Sequence, residues 1–194
     1  MERVERLRQK ALEPVISRDE FYYHFYTYYT AHPMETKAAQ YAEAFYYAFS
    51  RLTPSIPEDE LIVGNCINTL TAEEQAEWNE KLLPSTNEIR GASRYGQDSH
   101  MSIDYELLLA KGLRGVMADV DGYLAQCEEE KKPFYLACKR CMEAVIVHAE
   151  NYAALAETLA ETAAPARREE LLNIAKICRK VPAEPAAYEP TDHL

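Results

Sequence analysis

The sequence predicts a mostly α-helical protein, an antiparallel array of helices with at most a trace of strand. Three features predict it. Glycine is scarce, six in 194 residues, while alanine, glutamate and leucine are abundant; these side chains lose little freedom in a helix. In the C-terminal half, apolar residues recur at alternating steps of three and four, which keeps them on one helical face. Prolines stand between these stretches, as suits a residue that ends helices or opens their first turn.

Residues 3–12 are charged and helix-prone, and Pro14 stops them. Ser17-Arg18-Asp19-Glu20 reads as a helix start, with Ser17 as cap and Glu20 three residues on to close a capping box. That helix carries the aromatic run from Phe21 to Tyr29 and ends at His32-Pro33. A second helix is expected from about Met34 to Arg51, with Ala39, Ala42, Phe45 and Phe49 on one face. Pro54 and Pro57 bound a connector. Leu61-Ile62-Val63 before Gly64-Asn65 then reads as a short strand ending in a turn. Thr71 and Glu74 form a capping box for a brief helix through Leu83. Residues 84–101, polar and containing Gly91 and Gly96, read as a loop.

From Ser102 to about Glu129, Leu109, Leu113, Val116, Val120, Tyr123 and Cys127 fall on one helical face. Asp104 lies in the first turn, where the helix dipole favours an acid. Gly112 and Gly115 inside this helix each cost roughly 1 kcal/mol against alanine, a cost that close packing against another helix would explain. Pro133 opens the next helix. Its stripe of Phe134, Cys138, Cys141, Val145, His148, Tyr152, Leu155 and Leu159 is heptad-like and suits antiparallel bundle packing. A last helix runs from about Ala166 to Lys180, with Leu171, Ile174, Cys178 and Val181 inward. Pro182, Pro185 and Pro190 follow, so one domain is expected over residues 1–182 and a loose, proline-rich tail over 183–194.

The formal charge of −11 argues against nucleic acid or an anionic membrane surface as the main partner, since both are polyanions. No apolar run is long enough to span a bilayer. The N-terminus has no apolar core of a secretory signal, so the expected compartment is the cytoplasm. Five cysteines, an odd number with four of them on apolar helix faces, point to free thiols. Cys138-x-x-Cys141 with His148 is read as core rather than metal site, because positions spaced this way along one helix do not surround an ion.

Several segments, in order, carry a family resemblance. Arg3, Arg6 and Arg8 sit in a basic first helix, followed by Ile16-Ser17-Arg18-Asp19-Glu20. Asp59-Glu60-Leu61-Ile62-Val63-Gly64-Asn65 lies inside the run that starts at Ile56-Pro57. His100-Met101-Ser102-Ile103-Asp104-Tyr105-Glu106 precedes Lys111-Gly112-Leu113-Arg114-Gly115-Val116. Arg167-Arg168-Glu169-Glu170-Leu171 and Ile174-Ala175-Lys176-Ile177-Cys178 close the series, ending at Val181-Pro182. Together they resemble the opening of the glycyl radical enzymes, the pyruvate formate-lyase-like family. The resemblance covers residues 3–185 and implies the N-terminal helical layer of that fold without its α/β barrel.

For the family as a whole, the resemblance implies a radical lyase or dehydratase acting on a small organic substrate. It uses a protein glycyl radical, installed by a radical SAM activase, and a thiyl cysteine at a barrel loop. This chain has neither the barrel cysteine nor the glycine in an "RV-x-GY" context; Gly64, Gly91 and Gly96 stand in other surroundings. The segment from Asn65 to His100 is also shorter than in the family. The expectation is a truncated or split family member that is inactive alone and holds no cofactor. The alternative is a non-catalytic helical interaction protein derived from that family.

The resemblance also places the loop before the 102–129 helix near a substrate pocket, which makes Asp98, His100 and Asp104 pocket candidates. The alternative for them is helix capping and loop hydrogen bonds. The aromatic run is too dense for one core face, so Tyr22, Tyr26 and Tyr29 are candidates for a partner face. That face would serve self-association or a barrel-bearing partner chain, unless the 66–100 segment and the tail fold over it.

Overall fold

A computed structural model describes residues 2–12, 17–64, 67–90 and 103–186. It is the expected helical array, and among the described residues there is no strand. The helices are α1 (Arg3–Ala11), α2 (Asp19–Ala31), α3 (Lys37–Arg51), α4 (Ala72–Glu77), α5 (Leu83–Arg90), α6 (Tyr105–Leu124), α7 (Lys132–Ala160) and α8 (Pro165–Lys180). Short loops fold α2 onto α3 and α7 onto α8 as antiparallel hairpins. The central pair, α3 and α7, runs parallel instead: Glu43 meets Arg140, Phe49 meets His148, and Ser50 meets Asn151.

Local chemistry sets the helix ends. Thr36 caps α3 by accepting from the Ala39 N–H at 3.2 Å. The capping box at Thr71 and Glu74 forms as expected. The box expected at Ser17 and Glu20 does not form. Ser17 Oγ accepts from the Asp19 N–H, and the buried Glu20 carboxylate instead accepts from the backbone and hydroxyl of Thr53, at 3.0 and 2.8 Å. A partner brought close by tertiary folding has outcompeted the local one.

Two further expectations are corrected. Residues 61–63 form no strand: among the described residues there is no other strand to pair with them, and Leu61 and Ile62 stay exposed. Residues 84–90 are helix rather than loop. A π-turn over Trp78–Leu82 precedes Pro84 and carries the chain past a residue that cannot donate to an α-ladder.

The core has two parts. One is aromatic: Phe25 and Tyr26 of α2 with Ala44 and Ala48 of α3 and Trp78 of the π-turn. The other joins Ala153, Ala156 and Ala160 of α7 to Leu171, Ile174 and Ala175 of α8. Of the heptad-like stripe of α7, only Tyr152 is therefore buried in the core. Phe134 is 60% exposed, and the fully covered positions are alanines, Ala144, Ala153 and Ala156 among them. Because α7 lies between α3 and α8, small side chains on its two flanks let both neighbours approach closely, and most of the larger stripe residues are left at the seams.

Gly112 of α6 has a different cause from helix packing. Gly112 breaks the helix at φ 62° and ψ 174°, in the left-handed region that favours glycine. The break receives the segment after α8. Leu113 N–H donates to the Pro182 carbonyl at 2.9 Å, Arg114 N–H to Ala183 at 3.0 Å, and Ala186 N–H to Leu109 at 3.0 Å. Ala183 and Ala186 are buried there. The tail expected to be loose from residue 183 is thus held through residue 186.

Candidate functional site

Of the pocket candidates, Asp98 and His100 lie outside the described residues. Asp104 is the N-cap of α6, where its carboxylate accepts from the Leu107 N–H at 3.0 Å. The capping alternative therefore accounts for Asp104, which is exposed.

The partner-face candidates lie elsewhere than expected. Tyr26 is only 4% exposed, and Tyr22 and Tyr29 are half-buried. The Trp78 indole stacks on Tyr22 and Tyr26, with ring centroids 6.2 Å away in both pairs. Tyr29 stacks on Phe25 at 5.7 Å. The 72–90 segment thus covers Tyr22 and Tyr26 from within the chain, while Tyr29 packs on Phe25 of its own helix. The chain's uncovered apolar side chains include Tyr123 and Phe134, both 60% exposed, and Leu136 and Met34. Tyr135 joins the first two by ring contacts at 6.0 and 5.8 Å. Leu136 and Met34 line a cleft of about 270 Å³ between the starts of α3 and α7.

Among the described residues, no group of three or more His, Cys, Asp or Glu side chains comes together as metal ligands. Burial pushes the Cys138 and Cys141 thiols up, Cys141 to about 11, away from the thiolate a metal needs. The His148 ring is held edge-on between Phe49 and Tyr152, 5.2 Å from each.

The family motifs that stand far apart in sequence meet in one polar cluster. Arg3 of α1 makes a paired contact with Glu170 of α8 at 2.5 and 3.0 Å, and its Nε donates to the Asp59 carbonyl at 2.7 Å. Arg6 forks onto the Asp59 carboxylate. Arg167 donates to the carbonyls of Pro57 and Glu60, both at 2.9 Å, and to Glu170 at 2.8 Å. The 57–60 connector has no helix or strand of its own, so these guanidinium groups satisfy its carbonyls and tie α1 to α8. The hydrogen bonds from Arg3 and Arg167 hold the Glu170 carboxyl well below its ordinary 4.5, at about 2. Arg6 lowers Asp59 in the same way. Sequence reading found these residues as motif positions but could not pair them, because arginine and carboxylate spacings of more than fifty residues carry no periodic signal.

Two half-buried histidines add a pH dependence. Burial lowers the pKa of His24 and His148 from 6.5, against a hydrogen bond to the Phe49 backbone on His148 and the opposing pull of Glu20 on both and of Glu74 on His24; Arg51 also lowers His24. The unfolded chain therefore binds more protons just below pH 6.5, and stability falls as pH drops through that window. A second loss follows as pH falls from about 4.5 toward 2, where Asp59 and Glu170 lose their charge-assisted bonds. The melting temperature is expected to be flat from pH 8 to 7 and to fall between about pH 6.5 and 5. A His24→Gln, His148→Gln double variant should flatten the upper step alone. An unchanged step in that variant would show that the histidines do not cause it.

Comparison with known proteins puts this architecture in context. The model of the pyruvate formate lyase-like family matches residues 70–188. The chain is 34% identical over 91 residues to the isethionate sulfite-lyase of Desulfovibrio desulfuricans, an alignment covering 43% of this chain and 11% of that protein. In three dimensions it superposes on a glycyl radical enzyme from Archaeoglobus fulgidus with a TM-score of 0.75 and 25% identity, covering 94% of this chain and 31% of that one. It matches the fold of the B12-independent glycerol dehydratase of Clostridium butyricum with a TM-score of 0.75 at 20% identity, covering 96% of this chain and 32% of that one. The chain spans about a third of the length of these solved structures and about a ninth of that of the curated relative. With the family model matched over more than half its residues and the fold of a glycyl radical enzyme over nearly all of them, the chain belongs to the pyruvate formate lyase-like family.

Proposed function

We propose that these 194 residues are the helical portion of a radical lyase or dehydratase for a small organic substrate, and that alone they carry out no radical chemistry. The carrying observation is a helical array matching nearly a third of a glycyl radical enzyme, in a sequence without the radical motifs. The relatives' names, a sulfite-lyase and a glycerol dehydratase, support the reaction class. The residues present do not fit the family's radical cofactor. Gly64, the one of the three glycines among described residues, is solvent-exposed, whereas a backbone radical survives only in a site that excludes water. The glycyl and thiyl residues would then belong to polypeptide outside these 194 residues, and no step of the reaction is assigned to a residue here.

A second reading, a helical interaction protein that keeps the fold without the chemistry, is favoured by the exposed apolar side chains of Tyr123, Phe134, Leu136 and Met34. Burying apolar surface contributes roughly 25 cal/mol per Å², so covering these side chains favours a barrel-bearing partner or a second copy. One experiment separates the readings. The chain is incubated anaerobically with a radical SAM activase, alone and with a purified barrel-bearing chain of the family. A glycyl radical doublet by EPR on this chain alone would overturn the first reading. Light scattering that gives a clean monomer at high concentration, and no complex with the barrel-bearing chain, would overturn the second.

A further inference from the structure

A small cleft lies where α2, the connector after α3, and α7 meet. Its volume is about 30 Å³, and its lining includes Ser17, Glu20, Thr53, Gly64, His148 and Tyr152. That is room for an ordered water and far too little for an organic ligand. The Nδ1 atom of His148 is buried and makes no hydrogen bond of good geometry in the protein, although the Phe49 backbone lies close enough to the ring to raise its pKa. A buried polar nitrogen left this way costs roughly 1–3 kcal/mol, so a native fold retains it only where something completes it. The neighbouring groups have the complementary chemistry. Glu20 is buried, and one of its oxygens, Oε1, accepts both bonds from Thr53. Ser17 Oγ accepts from the Asp19 N–H, and as a hydroxyl it carries a proton to donate.

We propose that this cleft is a binding site for one ordered water, which donates to His148 Nδ1 and to the Glu20 carboxylate and accepts from the Ser17 hydroxyl. Three hydrogen bonds is the usual complement of a buried water. Nδ1 accepts only in the neutral tautomer that carries its proton on Nε2, and burial favours the neutral ring. The water would join α2 to α7, both of which pack on α3.

The experiment is a high-resolution crystal structure of the 194-residue chain, paired with NMR of the same protein. The expected result is one density peak within hydrogen-bond distance of His148 Nδ1 and the Glu20 carboxylate. Nitrogen shifts of the His148 ring should show Nδ1 unprotonated, and a cross-peak should connect its ring protons to a long-lived water. His148→Phe should lose both the peak and the cross-peak, while Glu20→Gln, which still offers an acceptor, should keep them. A cleft without density, a protonated Nδ1 bonded to a protein carbonyl, or a folded wild-type protein without the cross-peak would overturn the proposal. The wild-type measurements decide it even where a variant fails to fold.

Discussion

Trp78→Ala is expected to destabilise the protein by about 3–5 kcal/mol, the range for removing a buried large aromatic. Trp78 is only 3% exposed, and its indole stacks on Tyr22 and Tyr26 while the helices that carry it close the aromatic core. Truncation would leave a cavity between the π-turn and α2, and it would open the one tyrosine-rich face in the chain to water. Two readouts follow. Chemical denaturation followed by far-UV circular dichroism should move to a lower midpoint, and binding of a hydrophobic dye should rise under native conditions. Because Trp78 is the only tryptophan, its fluorescence in the wild type reports on this same contact. A loss below about 1 kcal/mol, typical of surface changes rather than core ones, would show that the 72–90 helices do not seal that face.

Gly112→Ala is expected to cost roughly 2–5 kcal/mol, combining about 1–2 kcal/mol for a side chain in the left-handed region with about 1–3 kcal/mol for overpacking. A Cβ at this position would stand 2.5 Å from the Ala183 carbonyl oxygen and against the Glu184 backbone. Backbone cannot swing aside as a flexible side chain can, so the 182–186 segment would have to leave. Its three hydrogen bonds to α6 and the Arg114–Glu184 ion pair at 3.2 Å would go with it. Hydrogen exchange should show faster exchange confined to the amides of Leu113, Arg114 and Ala186, with α7 and α8 protected as before. The neighbouring Gly122→Ala has open space around its Cβ and a helical backbone, so it should be neutral or stabilising. Equal effects at the two glycines would refute the clasp at Gly112.

The helices were legible because their signals are local. The capping box at Thr71 and Glu74 lies within four residues, and the inward faces of α8, Leu171 and Ile174, repeat at the helical period. The α7 core was misjudged because large apolar residues dominate a periodic pattern. The alanines mark two opposite flanks of the helix, 137 and 144 on one and 153, 156 and 160 on the other, and they were the signal to follow. The strand at 61–63 was misread for a related reason. β-favouring residues describe a fit to a sheet, and among the described residues there is no sheet to fit.

The candidate residues divide along the same line. Residue order and periodicity are enough for the fold class and, through collinear motifs, for the family, because helix formation and motif spacing depend on neighbours in the chain. Three things depended on groups brought together from distant positions. Glu20 chose Thr53 over its own helix start. Gly112 serves the 182–186 segment rather than a helix neighbour. Tyr22 and Tyr26 are covered by Trp78 rather than left for a partner. Each is a competition between a local partner and a distant one of similar chemistry. The free energy that settles it comes from burial, which exists only once the chain has folded.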